Sequence, residues 1–378
     1  MGLKAKGMRG VVMAGVLAFA CAALSLLPPP KTVAHENGTP VRAKVVEVDD
    51  SGLSLLGMVE YGTERLRVEL KDGPAAGQVF DAANELRGQL DIDKKFEVGE
   101  TASVTWPEGG AEAGATLVAR DHWRLGWMAV LFGLFSLLLV AFGGWTGAKA
   151  LFSFVFSCFA VWKLLVPLCL GGWSASWVSF GTVSVLTAVI MYLVAGATRK
   201  GASAFLGAML GVGASLILAH FFACVMHVNG ATMPFVQALL YSGCGTLDLG
   251  DIFVGAVILA SSGAVMDLAM DIAAGVGEVA RHNPGLSRKE LFESGIRIGR
   301  SMVGTMTTTL LLAYSGGYLT LLMVFAAQGT PPLNFINSTL VSAEVVKTLV
   351  GSFGLVLVAP FTAAASAWIE MANKRRTE

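Results

Sequence analysis

Residues 122–142 read HWRLGWMAVLFGLFSLLLVAF, and beyond Arg124 the stretch holds no charged side chain. A helix needs about 20 apolar residues to cross the hydrocarbon core of a bilayer, so this run predicts a membrane-spanning helix. Similar runs follow near 150–170, 175–196, 202–226, 251–276, 301–326 and 346–369. With the apolar run from Gly10 to Leu27, they predict an α-helical polytopic membrane protein of about eight transmembrane helices. Composition points the same way: 54% of the 378 residues are hydrophobic and 14% charged, and mean hydropathy is +0.65. A soluble domain with a solvated surface does not reach that balance. The net charge is +0, so no basic field argues for nucleic acid, and the expected surroundings are a lipid bilayer.

Orientation follows from the basic residues. Lys149, Arg199, Lys200, Arg281, Arg288, Lys289, Arg297, Arg300, Lys374, Arg375 and Arg376 fall in alternate connections, on the same side as Lys4, Lys6 and Arg9. Lys and Arg accumulate on the cytoplasmic side, which predicts a bacterial plasma-membrane protein with both termini inside. Residues 1–30 have the charged and apolar regions of a signal anchor or signal peptide, and Thr32, Val33 and Ala34 offer small residues for cleavage after Ala34. Residues 371–378 form a basic cytoplasmic tail. Cys21, Cys158, Cys169, Cys224 and Cys244 are odd in number and lack a CxxC pair, so no disulfide framework is expected.

Residues 35–120 differ from the rest. Val41 to Val48, Met58 to Leu70, Gly77 to Asn84 and Glu97 to Trp106 mix apolar and polar residues in short runs separated by turn signals such as Lys71-Asp72-Gly73. They predict a small extracytoplasmic β-barrel-like domain, followed by the helical bundle of residues 121–370. Asp248 stands where an N-cap belongs, and Ser287 with Glu290 spells a capping box expected to open a short cytoplasmic helix. The loop 227–250, with Pro234 and an apolar stretch to Tyr241, has room for a half-inserted helix.

The chemistry concentrates in a few places. Asp267 and Asp271 are four apart, hence on one helical face, and roughly 24 to 30 Å inward from Asp251. A carboxylate at that depth costs at least about 2.5 kcal/mol, so it should face a cavity, a cation or a partner; alternatively, the pair solvates the helix end near the inner interface. Thr305, Thr307, Thr308 and Thr309 could complete an oxygen shell, or only bond their own backbone in helix packing. Lys163, inside a span and followed by Pro167, should snorkel outward or meet an acid, with Asp267 the candidate counter-charge. Glu344 and Lys347 read as an interfacial pair. His220, Cys224 and His227, at spacings of four and three, suggest a soft-metal site with Met226 and Met233 nearby, although two common ligand types also coincide by chance. Ser203, Gly207, Gly211 and Ser215 make a small-residue stripe for close helix contact. No HExxH, GxSxG or Walker loop occurs, so no cofactor is expected beyond a coupling proton or cation.

The run Gly263-Ala264-Val265-Met266-Asp267-Leu268-Ala269-Met270-Asp271-Ile272, the run from Asn283-Pro284-Gly285 through Glu293-Ser294-Gly295, Ile298-Gly299-Arg300, Gly304-Thr305-Met306-Thr307 and Leu349-Val350-Gly351-Ser352-Phe353-Gly354 together resemble the YibE/F family of bacterial membrane proteins. The resemblance extends from about Val41 to Ile369 and includes Gly77-Gln78-Val79-Phe80 with Asn84. It implies a multi-spanning protein suspected of transport, and it implies no particular substrate. The residues themselves favour a permease or secondary transporter using Asp267, Asp271, Lys163, Thr305 and Thr308. A Mg²⁺-dependent enzyme acting on lipid phosphates and a non-catalytic scaffold are the alternatives, and a homo-oligomer or a partner membrane protein is compatible with each.

Overall fold

The computed structural model describes residues 38–107, 109–110 and 115–377, with side chains to residue 372. The predicted first span and the cleavage site after Ala34 lie outside those residues. The described chain forms two compact units that part between Leu138 and Leu139.

The first unit contains β1 (Gly38–Asp49), β2 (Leu53–Leu56), β3 (Val59–Leu70), β4 (Val79–Arg87), β5 (Thr101–Pro107) and β6 (Leu117–His122). β1 pairs with both β3 and β5, and the order β1-β5-β6-β4-β3 closes on itself. β2 is a hairpin extension of β3, outside the ring. β4 and β6 run parallel, pairing Ala82 with Leu117 and Ala83 with Val118, and the remaining pairs are antiparallel. This five-stranded ring has the connectivity of a small OB-type barrel. Alternation fills it: Val41, Ala43 and Val45 from β1 and Leu66, Val68 and Leu70 from β3 point inward. The four predicted strands are present. β2 and β6 are additions, and β6 claims His122, so the first long helix begins at Leu125.

The helices are α1 (Leu125–Ala160), a π-helical turn (Val161–Leu165), α2 (Val166–Leu170), α3 (Ala175–Ala195), α4 (Arg199–Val225), α5 (Val236–Leu239), a second π turn (Leu240–Cys244), α6 (Leu249–His282), α7 (Arg288–Gly317), α8 (Leu319–Ala327), α9 (Pro332–Ile336) and α10 (Thr339–Thr377). Among the described residues five helical runs are long and apolar enough to cross a membrane, six if α7 and α8 count as one bent span. The run Leu125–Leu170 covers two of the predicted spans. It is broken at Gly144, with φ 53° and ψ −129°, a backbone that glycine adopts readily. A Cβ on Gly147 would collide with the carbonyl of Leu139; residues eight apart cannot meet in a straight helix, so the chain turns back at Gly144.

In the second unit α10 packs against α4, α6 and α7, and α3 packs against α4 and α6. The shared core includes Val212, Val257, Ile258, Leu268, Ile272, Leu355 and Val358. The stripe on α4 does what its spacing predicts: Gly207 lies against Thr362 of α10, Gly211 against Val358, and Ser215 against Gly354. The predicted capping box is formed, yet it opens the 30-residue α7 rather than a short helix. That helix ends earlier than the predicted span, because the chain bends by 63° between Gly317 and Leu319. Loop 227–250 holds only the one-turn α5 and its π turn. Cys158, Cys169, Cys224 and Cys244 are free thiols.

Asp248 caps α6 through its side chain, which accepts from the Gly250 and Asp251 amides at 2.9 and 3.1 Å. Asp248→Ala is expected to weaken the first turn by about 1 kcal/mol. Faster amide exchange confined to residues 249–252 would register it.

Candidate functional site

α6 is the helix on which the candidate carboxylates stand. One face, carrying Val257, Ser261, Val265, Leu268 and Ile272, is buried in the core. The other exposes Ala260, Gly263, Asp267, Asp271 and Glu278. Glu278, near the C-terminal end, is neutralised by Arg281 and lies 3.9 Å from Lys200 and 3.3 Å from His282. Asp267 and Asp271 have no such company: among the described residues neither accepts a hydrogen bond nor joins an ion pair. Helical spacing predicted their common face. Only the packing reveals that the face is uncovered.

α7 runs antiparallel beside α6, with Gly299 against Ile272 and Gly275 against Ile298. That register sets the Asp267 turn level with the Gly304 turn. Gly304, Thr305, Thr308 and Thr309 are exposed there, and nothing lies within 4 Å of where a Cβ on Gly263 or Gly304 would stand. The hydroxyls of Thr305, Thr308 and Thr309 donate to the carbonyls of Met302, Gly304 and Thr305 at 2.9, 3.1 and 2.9 Å. Those bonds use the hydroxyl hydrogens and leave oxygen lone pairs free to meet a cation. The result is a strip of two carboxylates, hydroxyls and bare glycine backbone along α6 and α7.

The remaining sequence candidates do not gather. Lys163 sits half-buried in the π turn Val161–Leu165, and among the described residues no ion pair joins it to Asp267 or to any other acid. The metal-ligand stack is not formed either. α4 ends at Val225, so His227 leaves the helical register with φ 53°, while a ring nitrogen of His220 lies 3.2 Å from Ser176 Oγ. Among the described residues no three His, Cys, Asp or Glu side chains cluster tightly enough to hold a metal.

Glu344 and Lys347 are more enclosed than their sequence position suggests. They lie 3.3 Å apart with each side chain 20% exposed. The Lys347 ammonium donates to Tyr318 Oη at 2.9 Å and stands 5.9 and 5.5 Å from the ring centroids of Tyr314 and Tyr318. Tyr314 comes from the end of α7 and Tyr318 from the bend that follows it, so proximity in sequence gives no hint of this roof.

A family model described as YibE/F-like protein matches residues 131–372. The chain belongs to the YibE/F-like family. The match takes in α6, α7 and α10, and with them the carboxylate strip, and it leaves the β-barrel outside. No characterised protein and no solved structure matches the chain.

Proposed function

We propose that this YibE/F-like protein is a permease or secondary transporter of the bacterial plasma membrane that moves a small ion or solute, with Asp267 and Asp271 binding the coupling proton or cation. The observation that carries the reading is the uncovered, unpartnered pair of carboxylates on a helix long and apolar enough to span a bilayer. In lipid such a pair is costly without a counter-ion, a proton or water, and two like charges one turn apart make binding a single cation or proton more favourable still. The threonine turns of α7, with Thr305 and Thr308 at the same level, complete an oxygen-rich surface beside them, and in this reading Lys163 contributes to the path. Both termini are cytoplasmic in this reading, and the barrel lies outside, where it captures substrate or a partner.

The test is flux in proteoliposomes under an imposed pH or cation gradient, wild type against Asp267→Asn, across a panel of ions and small solutes. Gradient-dependent flux in the wild type should fall to background in the variant. Flux that Asp267→Asn leaves unchanged removes the carboxylate from coupling, and background traces from both proteins count against transport itself.

A further inference from the structure

The β-barrel gathers exposed apolar side chains at one end, and strand direction decides which end that is. β1 is antiparallel to β3 and β5, β3 to β4, and β5 to β6, while β4 and β6 run parallel. The end of β1, the start of β3, the end of β4, the start of β5 and the end of β6 therefore lie together. That end carries the β2–β3 hairpin, the β4–β5 connection and the exit of the chain into α1. It exposes Leu55, Leu56 and Met58 from the hairpin and Leu90, Ile92 and Val98 from the connection, Met58 at 93%. No charged residue occurs from Ser51 to Val59. Val59 lies 3.6 Å from where a Cβ on Gly88 would stand, so hairpin and connection adjoin. The connections made at the opposite end, residues 71–78 and 108–116, contain no Leu, Ile, Val, Met, Phe, Tyr or Trp.

A contiguous set of exposed apolar side chains marks an interaction surface, and the exit of the chain identifies what covers it. Only Trp123 and Arg124 separate β6 from α1, which opens a run long and apolar enough to cross a membrane. Leu125–Leu138 belong to the same compact unit as the barrel. The Trp123 amide donates to the Thr101 carbonyl at 2.8 Å, and Glu100 and Thr101 share a crevice with Trp127, Met128 and Leu131. The first turns of α1 are thus held against this end of the barrel. Three residue steps from His122 to Leu125 span at most about 11 Å. The hairpin reaches as far: Met58 lies beyond Tyr61, where pairing with β4 ends, by three residues or about 10 Å. Trp123 and Trp127, at the head of the span, are of the type that collects at the membrane–water interface. A soluble partner could use any face of the barrel. A bilayer meets only the end from which the span departs, and that is the apolar end.

We propose that this end of the barrel docks on the bilayer surface, with Leu55, Leu56 and Met58 of the hairpin and Leu90 and Ile92 of the β4–β5 connection inserted among the acyl chains at the interface. The placement rests on α1 crossing the bilayer. It depends neither on the transport reading nor on which side of the membrane the barrel occupies.

The experiment photolabels the full-length wild-type protein in nanodiscs of a phosphatidylcholine that carries a diazirine on its acyl chain near the ester, and maps lipid adducts by peptide mass spectrometry. Adducts on 125–138 report, independently of the barrel, that α1 lies in lipid. Adducts on 53–59 and 89–92 are expected within about threefold of that yield and about tenfold above the yield on 71–78, since only inserted side chains meet the carbene. Leu56→Ser combined with Met58→Ser should lower the hairpin yield about tenfold, because two large apolar side chains no longer favour insertion. Both side chains are exposed, so the barrel does not need them to fold, and a carbene attacks a hydroxyl readily, so the loss cannot reflect a less reactive target. Labelling of 125–138 with 53–59 and 89–92 no higher than 71–78 would overturn the docking and leave the span in place; a hairpin covered by a second copy or another protein gives this result. Hairpin labelling that survives the double substitution would also overturn it, by showing chance collision in place of insertion. Absence of adducts on 125–138 would remove the span and the docking together.

Discussion

Replacing Gly207 by alanine is expected to cost about 3 kcal/mol, enough to lower markedly the fraction of folded protein recovered in mild detergent. The added methyl has nowhere to go. Its Cβ would stand 2.7 Å from both Cα and Cβ of Thr362 and closer still to the hydroxyl, so the obstacle includes backbone, and rotation of one side chain cannot relieve it. α4 and α10 must separate, and every contact along their seam loosens with them. Interdigitation of this kind is what drives membrane helices together, since lipid tails are as apolar as the helices themselves.

The same seam explains two hydroxyls that otherwise look anomalous. Thr362 Oγ1 and Ser215 Oγ are buried and lack conventional partners, and each sits where a Cβ would project from a glycine of the opposite helix, Gly207 and Gly354. In glycine that direction is occupied by a hydrogen, so each hydroxyl oxygen receives a Cα–H. Such contacts contribute about 0.5–1 kcal/mol each. Thr362→Val, which keeps the shape and removes the oxygen, should therefore cost far less than Gly207→Ala. Gly354→Ala should fall between them, because the atom in its way is the rotatable end of Ser215. Thermal unfolding of the three variants, read against the wild type, checks the order. A Gly207→Ala protein within about 0.5 kcal/mol of wild type would remove close packing as the basis of the seam.

This seam was legible in the sequence because it depends on spacing alone: Ser203, Gly207, Gly211 and Ser215 recur every fourth residue, and a small-residue face has few uses in lipid other than contact. The Asp248 cap, the Ser287–Glu290 box and the long barrel strands were legible for the same reason, each being a local pattern. β2, with four residues, is too short to show alternation. β6 ends in Ala119-Arg120-Asp121-His122 and gains its place only by pairing with β4 and β5. The bend at Gly317 hides in an apolar run that reads as continuous.

The candidate site divides along the same line. Periodicity put Asp267 and Asp271 on one face, but which face the bundle covers is decided by where α4, α7 and α10 land. The proposed partnership of Lys163 with Asp267 and the stack of His220, Cys224 and His227 assumed local geometry that the fold does not supply: an ion pair needs two helices to converge, and a stack that runs from residue 220 to 227 needs the helix to outlast Val225. The enclosure of Glu344 is invisible in the sequence for the converse reason. The tyrosines that roof Lys347 belong to the end of α7 and the bend after it, and no spacing rule reaches them.

The barrel holds its own buried carboxylate, and removing it should have the largest effect on that unit. Glu64 on β3 is fully buried. One of its oxygens accepts from Asn84 Nδ2 at 2.7 Å and the other from the Phe96 amide at 3.2 Å. Asn84 spends a second donation on the Lys94 carbonyl at 2.6 Å, so Glu64 ties β3 to β4 and to the segment that leads into β5. Glu64→Ala strands both donors and opens a cavity. At roughly 1–3 kcal/mol for each stranded group, the expected loss is about 2–5 kcal/mol, a large share of what a domain of this size commands. Hydrogen exchange of the β3 and β4 amides in the intact protein would show it as lost protection, with the helices of the second unit unaffected. The pH dependence has a definite sign. Burial pushes the Glu64 carboxyl above the usual glutamate range, against the lowering effect of the bonds from Asn84 and Phe96. The folded barrel therefore holds this proton more tightly than the unfolded chain. Its contribution to stability is fully present below the unfolded value of about 4.3 and declines as pH rises through the folded value. Asp72 and Asp121, lowered by Arg42 and Arg124 against the opposing effect of burial, act in the opposite direction and lose stability only as the medium turns strongly acidic. Glu64→Gln removes the ionisation while keeping one acceptor. It should flatten the decline in β3 and β4 protection as pH rises above the unfolded value of about 4.3, and an unchanged slope would show that Glu64 is not the group whose ionisation the folded barrel resists.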